Sequence, residues 1–280
     1  MKNGILWIDK EKGFTSRDVV NLVSKKLGTK KVGHTGTLDP IATWLMIICF
    51  NKATSLVELI TSEDKEYIAK VKLGINTDTL DITGNILEEN YNYELEKNFL
   101  ENTIKSFLGS YLQEVPMYSA IKVNGKRLYE YARKNISVEL PKRMVTIKEI
   151  ELIDFNKESF TFKVKVSKGT YIRSLIRDIG NKLGILMTME ELRRTKIEKY
   201  SITNAKKIED INEEDIIPIE KFLELKKVYV DDYLEKKVLN GVRLKNIYNS
   251  EMIMFFNKND KLLAIYQINE KNEMCLYKLF

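Results

Sequence analysis

The sequence predicts an α+β fold with a smaller β-rich unit at its end, on three observations. Strand-like and helical periodicities are interleaved without the regular alternation that a doubly wound sheet requires. An acid-rich stretch of weak apolar pattern covers residues 206–224. Beyond it only short β-like runs recur.

The elements follow in chain order. Thr15 and Ser16 precede Val19, Val20, Val23 and Leu27, with Gly28 after them, which reads as a capped amphipathic helix. Residues 34–43 contain Gly36, Asp39 and Pro40, a loop composition. The apolar run 45–50 reads as a buried strand. A second strand is expected over 66–73, with Tyr67, Ala69, Val71 and Leu73 on one face. Leu95, Phe99, Leu100, Ile104 and Phe107 recur at helical spacing and stop near Gly109. Residues 118–123 lead into Asn124-Gly125, a strong tight-turn signal. Phe160, Phe162, Val164 and Val166 alternate with Thr161, Lys163, Lys165 and Ser167, as a half-buried strand does. Gly169 separates that strand from a helical pattern in Ile172, Leu175, Ile176, Ile179 and Leu183. Acids then cluster at Glu209, Asp210, Glu213, Glu214 and Asp215, so the division is expected between domains 1–225 and 226–280. The β-like runs of the second unit are 252–256 and 262–268.

Composition narrows the function classes. In 280 residues, 44% are hydrophobic and 10% aromatic, enough to bury a core, so disorder is excluded as the main state. The stretch from Met1 to Asp9 lacks the apolar core of a signal peptide, and the longest apolar run, 44–50, is too short to span a bilayer. No membrane partner is expected. Cys49 and Cys275 are too few for a disulfide framework and lack neighbouring metal ligands. Cys49, inside an apolar run, reads as a small core residue, and a reducing cytoplasm is the expected location. The net charge of +6 is too small to imply nucleic-acid binding by itself. Its distribution is more informative. Lys122, Lys126, Arg127, Arg133, Lys134, Lys142, Arg143 and Lys148 face only Glu130 and Glu139, with Tyr129 and Tyr131 among them. This segment is either a solvated helix face or a surface that tracks phosphates.

The chemistry can be reached by elimination. His34 is the only histidine, which leaves no Cys/His zinc site and no metal expected. No serine stands in a Gly-x-Ser-x-Gly elbow. The glycines Gly33 and Gly36 lack the Gly-Lys-Ser/Thr ending of a phosphate-binding loop, and there is no dinucleotide fingerprint. Catalysis by carboxylate, arginine and aromatic groups survives, with no cofactor.

Several separated segments then carry a resemblance. Gly33-His34-Thr35-Gly36-Thr37-Leu38-Asp39-Pro40-Ile41-Ala42-Thr43 closely resembles the catalytic motif of the TruB family of tRNA pseudouridine synthases. Asp9-Lys10 with Gly13-Phe14-Thr15-Ser16-Arg17-Asp18-Val19-Val20 is similar to that family's first motif. Tyr67 in Asp64-Lys65-Glu66-Tyr67, and Pro116-Met117-Tyr118-Ser119-Ala120-Ile121-Lys122, match further landmarks. Ser167-Lys168-Gly169-Thr170-Tyr171-Ile172-Arg173-Ser174 and Leu192-Arg193-Arg194-Thr195 resemble the two late motifs. The match runs in order through residues 4–200.

The resemblance implies a pseudouridine synthase core with a mixed, largely antiparallel sheet and flanking helices, followed by a small PUA-like RNA-binding domain. It implies the uridine at position 55, in the T-loop of tRNA, as substrate, with the T-arm as partner; a monomer is the simpler expectation. It makes Asp39 the essential carboxylate, Tyr67 the aromatic that stacks on the target base and Arg173 the partner of that carboxylate. On the binding side, His34 would hold the loop and the displaced bases, Leu192 would pack on the uracil, and Lys10 would support the active-site loop.

The chemistry needs such a set. Turning a uracil from an N-glycoside into a C-glycoside neither adds nor removes atoms. An ionised carboxylate must attack C1′ or take a proton from C2′, and a nearby arginine favours the ionised form. The base must first leave its stack, which costs a few kcal/mol and is offset by aromatic and apolar surfaces. Three positions depart from the family pattern: Trp44 stands in place of a glycine, Leu186-Met187 in place of a small Gly-Ala pair, and Glu11 in place of a proline. Trp44 adds roughly 150–250 Å² of side-chain surface, which either fills the core beneath the loop or crowds the catalytic pocket.

Overall fold

The structure is a computed structural model that describes residues 3–37, 39–61 and 64–280. Leu38 of the central motif, and Met1 and Lys2 of the amino terminus, lie outside the described residues. Among the described residues ten strands form one sheet. Eight of them run in the order Ile217–Pro218, Gly4–Lys10, Thr43–Phe50, Met187–Ile197, Lys65–Leu73, Ser159–Val166, Lys142–Phe155 and Gly109–Glu114. Val32–His34 pairs beside Thr43–Phe50, and Tyr200–Ser201 beside Met187–Ile197. Neighbours are antiparallel except at one junction. There Thr43–Phe50 runs parallel to Met187–Ile197, with Arg193 opposite Thr43 and Arg194 opposite Trp44. The α+β class and the largely antiparallel sheet are as the sequence predicts.

Local chemistry accounts for the elements that hold the site. The helix Ser16–Lys26 starts with a reciprocal cap: Asp18 N donates to Thr15 Oγ1 at 3.1 Å and Thr15 N to Asp18 Oδ2 at 2.8 Å. Val19, Val20 and Val23 then face the core. In Lys65–Leu73 the alternate residues Tyr67, Ala69, Val71 and Leu73 are buried, and Val164 and Phe162 of the adjacent strand face Tyr67 and Ala69. The helix Ile172–Leu183 lays Ile172, Leu175, Ile176 and Ile179 on that layer and ends at Gly184, whose φ of +68° suits a residue without a side chain. The other expected helix is shorter than its apolar pattern, spanning Lys97–Lys105; Leu95 and Phe107 pack on the same core from outside it.

One expectation needs adjusting. Asn124 and Gly125 both take positive φ, +50° and +82°, and close the tight turn between Lys122–Val123 and Lys126–Arg127. The basic residues of 122–148 therefore do not share one helix face, because only Leu128–Ala132 is helical and the rest lie on this hairpin, a loop and the strand Lys142–Phe155. Residues 206–224, weak in apolar pattern, pack onto the first sheet. Ile217–Pro218 extends the large sheet along Gly4–Lys10, and Ile211, Ile216, Ile219 and Phe222 are buried.

A second sheet of five strands follows, in the order Lys226–Tyr229, Met252–Phe256, Leu262–Ile268, Glu273–Leu279 and Leu244–Lys245. Met254, Phe256 and Ile265 of this sheet share one apolar cluster with Ile5, Leu45 and Ile47 of the first. Cys49 lies in the same cluster, and burial pushes its thiol up to about 12, an unreactive core residue. Among the described residues no helix is long and apolar enough to cross a membrane.

Candidate active site

The loop carrying Asp39 leaves the sheet at His34 and returns at Thr43. Gly36 turns it with a φ of +97°, a conformation that disfavours a side chain. Its far limb is pinned at the Pro40 carbonyl, which accepts the Gly13 N–H at 2.9 Å and Lys10 Nζ at 3.4 Å. Lys10 is fully buried, and its ammonium also donates to the carbonyls of Glu11 at 2.9 Å and Phe14 at 2.7 Å. Burial lowers its pKa to about 8, against the pull of Asp18 and Asp39. The ammonium is thus spent on carbonyls under the loop, away from open space. Arg193 ties the same first motif to the late one through a bidentate pair with Asp9, at 3.1 and 2.7 Å.

Arg173, in the first turn of the helix Ile172–Leu183, grips Asp39 with two edges of its fork. Nε lies 2.9 Å from Oδ2 and Nη2 2.9 Å from Oδ1, the planar match that lysine cannot make. Arg173 Nη1 donates to the Thr79 carbonyl at 2.7 Å and Nη2 to that of Tyr118 at 2.9 Å. A second carboxylate, Asp81, stands 3.7 Å from Nη1. It is buried and accepts from Thr79 Oγ1 and the Thr83 N–H, each at 3.0 Å. One guanidinium therefore serves two carboxylates. Burial raises the pKa of Asp39 and is the dominant effect; Arg173 opposes it, Asp81 adds to it and Lys10 opposes it, leaving the carboxyl above its usual range. The fork moderates the cost of desolvation without cancelling it.

Asp39 forms part of the wall between two cavities. The smaller, about 190 Å³, is lined by Asp39, Tyr67, Tyr171, Arg173, Leu192 and Arg194 among others. The larger, about 1080 Å³, joins Asp39 and His34 to Arg17, Arg127, Tyr129 and Arg133. In that cleft the guanidinium carbons of Arg127 and Arg133 lie 5.8 and 5.2 Å from the Tyr129 ring centre, so cations flank an aromatic face. Tyr67 is 5% exposed and Leu192 4%. They stand on adjacent strands, where Leu192 faces Ala69 and Arg194 faces Tyr67. His34 is half-buried with Nδ1 2.6 Å from the Gly36 carbonyl, so Nδ1 carries the proton, and burial lowers its pKa, which keeps the ring neutral.

The structure thus gathers Asp39, Tyr67, Arg173 and Leu192 around the smaller cavity, puts His34 on the larger, and sets Lys10 beneath. Two groups of the site carry no role from the sequence. Asp81 sits in Asp78-Thr79-Leu80-Asp81-Ile82-Thr83-Gly84, which reads as an ordinary polar turn. Arg194 belongs to the late motif Leu192-Arg193-Arg194-Thr195, where no role is assigned to it; it is 2% exposed, with Nε and Nη2 donating to the Leu45 carbonyl at 3.2 and 2.8 Å.

The three departures are absorbed. Trp44 is fully buried, lines neither cavity, and lies with its ring centre 4.0 Å from the Arg194 guanidinium carbon, so it fills the core beneath the loop. Met187 is buried against Gly180, where an added Cβ would stand 3.2 Å from Met187 Cγ, and the Leu186 carbonyl accepts the Gly74 N–H at 2.8 Å. Glu11 is exposed and pairs with Lys207 at 3.0 Å.

Known proteins are similar to this chain along most of its length. Residues 24–172 match the N-terminal domain of TruB family pseudouridylate synthases, and residues 173–239 match the C-terminal domain of tRNA pseudouridylate synthase B. The chain is 46% identical over 270 residues to the tRNA pseudouridine synthase B of Clostridium tetani, covering 95% of this chain and 92% of that protein. Against the tRNA pseudouridine synthase B of Bacillus subtilis the identity is 42% over 287 residues, covering 95% and 93%. Among solved structures, a chain of an H/ACA RNP bound to a substrate RNA containing 2′-deoxyuridine superposes with a TM-score of 0.71 at 25% identity, covering 99% of this chain and 84% of that one. With both family domains matched and such relatives along nearly its whole length, the chain belongs to the TruB family of pseudouridylate synthases.

Proposed function

We propose that this chain isomerises uridine to pseudouridine at position 55 in the T-loop of tRNA, acting on the T-arm as a cytoplasmic monomer with no cofactor. The observation that carries the reading is the Asp39 carboxylate, held by both edges of the Arg173 fork on the wall shared by the 190 Å³ pocket and the wide basic cleft. The pocket suits one flipped base: Tyr67 offers an aromatic face and Leu192 an apolar wall, so stacking lost in the loop is replaced. The cleft suits folded RNA, since Arg17, Arg127 and Arg133 can neutralise phosphates while Tyr129 offers a stacking face.

With the base in the pocket, Asp39 meets the sugar edge of the nucleotide. Its ionised form attacks C1′ or takes the C2′ proton; either way the N1–C1′ pair of electrons leaves on the uracil, which turns and rejoins through C5. Arg173 keeps Asp39 aimed and favours its charge. The neutral His34 ring braces the loop at Gly36 and faces the cleft. Residues 226–280 serve as a PUA-like RNA-binding domain; exposed Tyr229 and Tyr233 with Lys227 and Lys237 support that role. Mapping pseudouridine in total RNA from cells with and without the gene tests the substrate. Loss at the one T-loop position is expected, and loss at a different RNA site with the T-loop intact contradicts the proposal.

A further inference from the structure

Arg194 is a buried cation that the reading above leaves without work. Among the described residues no carboxylate pairs with it. Its partners are the Leu45 carbonyl, which takes two of its N–H groups, the Tyr67 side chain, and the Trp44 ring against its face. Burying a guanidinium on neutral partners alone is costly. Burial brings its pKa down to about 10, so it stays charged at neutral pH. Asp39 is already committed to Arg173 and, more distantly, is acted on by Asp81 and Lys10. Arg194 nonetheless lines the same 190 Å³ pocket as Asp39, Tyr67 and Leu192.

An uncompensated cation in a base-sized pocket implies an anion that exists there only in passing. We infer that Arg194 is a further catalytic residue, whose guanidinium stabilises the negative charge on the uracil while the base is detached. When the N1–C1′ bond breaks, its electron pair goes to N1 and spreads onto O2 and O4. C1′ is meanwhile joined to the Asp39 carboxylate, or C2′ has given its proton to it. No proton passes to Arg194; the charge is held until C5 bonds to C1′ as the Asp39–C1′ bond breaks, or as C2′ takes its proton back from Asp39, after which C5 loses its hydrogen to solvent and N1 gains a proton from solvent. The strand register fixes the guanidinium beside Tyr67, and Trp44, where the family pattern has glycine, gives it a rigid face to rest on. A preorganised charge of this kind acts on the transition state with no reorganisation during the reaction.

The inference rests on the pseudouridine synthase reading, so the test separates the two. Single-turnover rates are measured for wild-type, Arg194→Met and Arg194→Lys on T-arm RNA with either uridine or 5-fluorouridine at the target position. Conversion is read as loss of the starting nucleoside from digests, so a persistent adduct counts as cleaved. Fluorine withdraws electrons and makes the base a better leaving group, which then needs the cation less. Arg194→Met should slow uridine by ~10²–10³-fold, the usual loss for one such donor, and slow 5-fluorouridine by a clearly smaller factor. Arg194→Lys should fall between wild-type and Arg194→Met; because it keeps a cation and much of the stem, it reads the same comparison if the methionine variant does not fold. An equal loss on both bases, the signature of a structural role, overturns the inference, as does no loss on either. A wild-type protein inert on uridine RNA instead overturns the underlying reading.

Discussion

At the scale of single residues, the candidate active site is a problem in sharing one arginine. Arg173 faces Asp39 through two contacts of 2.9 Å and Asp81 across 3.7 Å. Burial nevertheless keeps the Asp39 pKa above its ordinary range. On the proposed chemistry the reactive form is the ionised one, so the acid limb of kcat/KM should lie above the ordinary aspartate value of about 3.9. Asp81→Asn removes a negative charge that raises the Asp39 pKa, so it should move that limb to lower pH; a limb that stays put or rises speaks against the coupling. Asp39, Tyr67, Arg173 and Leu192 were legible in the sequence because motifs preserve residue type and order. Asp81 was not, and Arg194, although in the late motif, carried no assigned role. Their roles depend on what faces them across a folded turn or a strand pair, and no local pattern encodes that.

At the scale of elements, the parallel junction between Thr43–Phe50 and Met187–Ile197 decides what the unusual residues do. It sets Arg194 opposite Trp44, so the tryptophan becomes core and platform. From sequence alone a bulky residue near a catalytic loop could equally have blocked it. Trp44→Gly should therefore destabilise the fold by about 3–5 kcal/mol, the range for emptying a buried aromatic site, and should not raise turnover. Urea unfolding with parallel rate measurements checks both; a faster enzyme of unchanged stability would mean that the ring crowds the site. Gly180 shows a complementary fit. A Cβ there would meet the Ile185 carbonyl at 2.7 Å and Met187 Cγ at 3.2 Å. Gly180→Ala should cost about 1–3 kcal/mol by overpacking, although alanine is the better helix former. Met187→Ala in that background should restore only part, since the carbonyl is backbone.

At the scale of the whole molecule, the two sheets share an apolar cluster, and residues 206–224 pack onto the first sheet. The apolar pattern of that stretch is weak in the sequence because its buried residues, Ile211, Ile216, Ile219 and Phe222, are spaced by short turns and follow no single period. The strong periodic segments were read correctly for the opposite reason: each repeats one burial period over at least two turns or four strand positions. The basic cleft is likewise a product of assembly, with Arg17 from near the amino terminus meeting Arg127 and Arg133. If these side chains contact phosphates, tRNA affinity should fall steeply with salt, and each arginine-to-alanine change that removes one phosphate contact should flatten the log–log slope by about 1. A filter-binding series from low to moderate salt measures this; an unchanged slope in Arg127→Ala/Arg133→Ala would place the RNA elsewhere.

The central claim is that the Asp39 carboxylate performs the isomerisation. Tritium release from a tRNA transcript carrying C5-labelled uridine tests it most directly, since forming the new C–C bond expels the C5 hydrogen. Wild-type protein should release the label, and Asp39→Asn should bind the transcript with comparable affinity and release none. Wild-type protein that binds the transcript without releasing tritium, or an Asp39→Asn variant that releases it at the wild-type rate, would contradict the account.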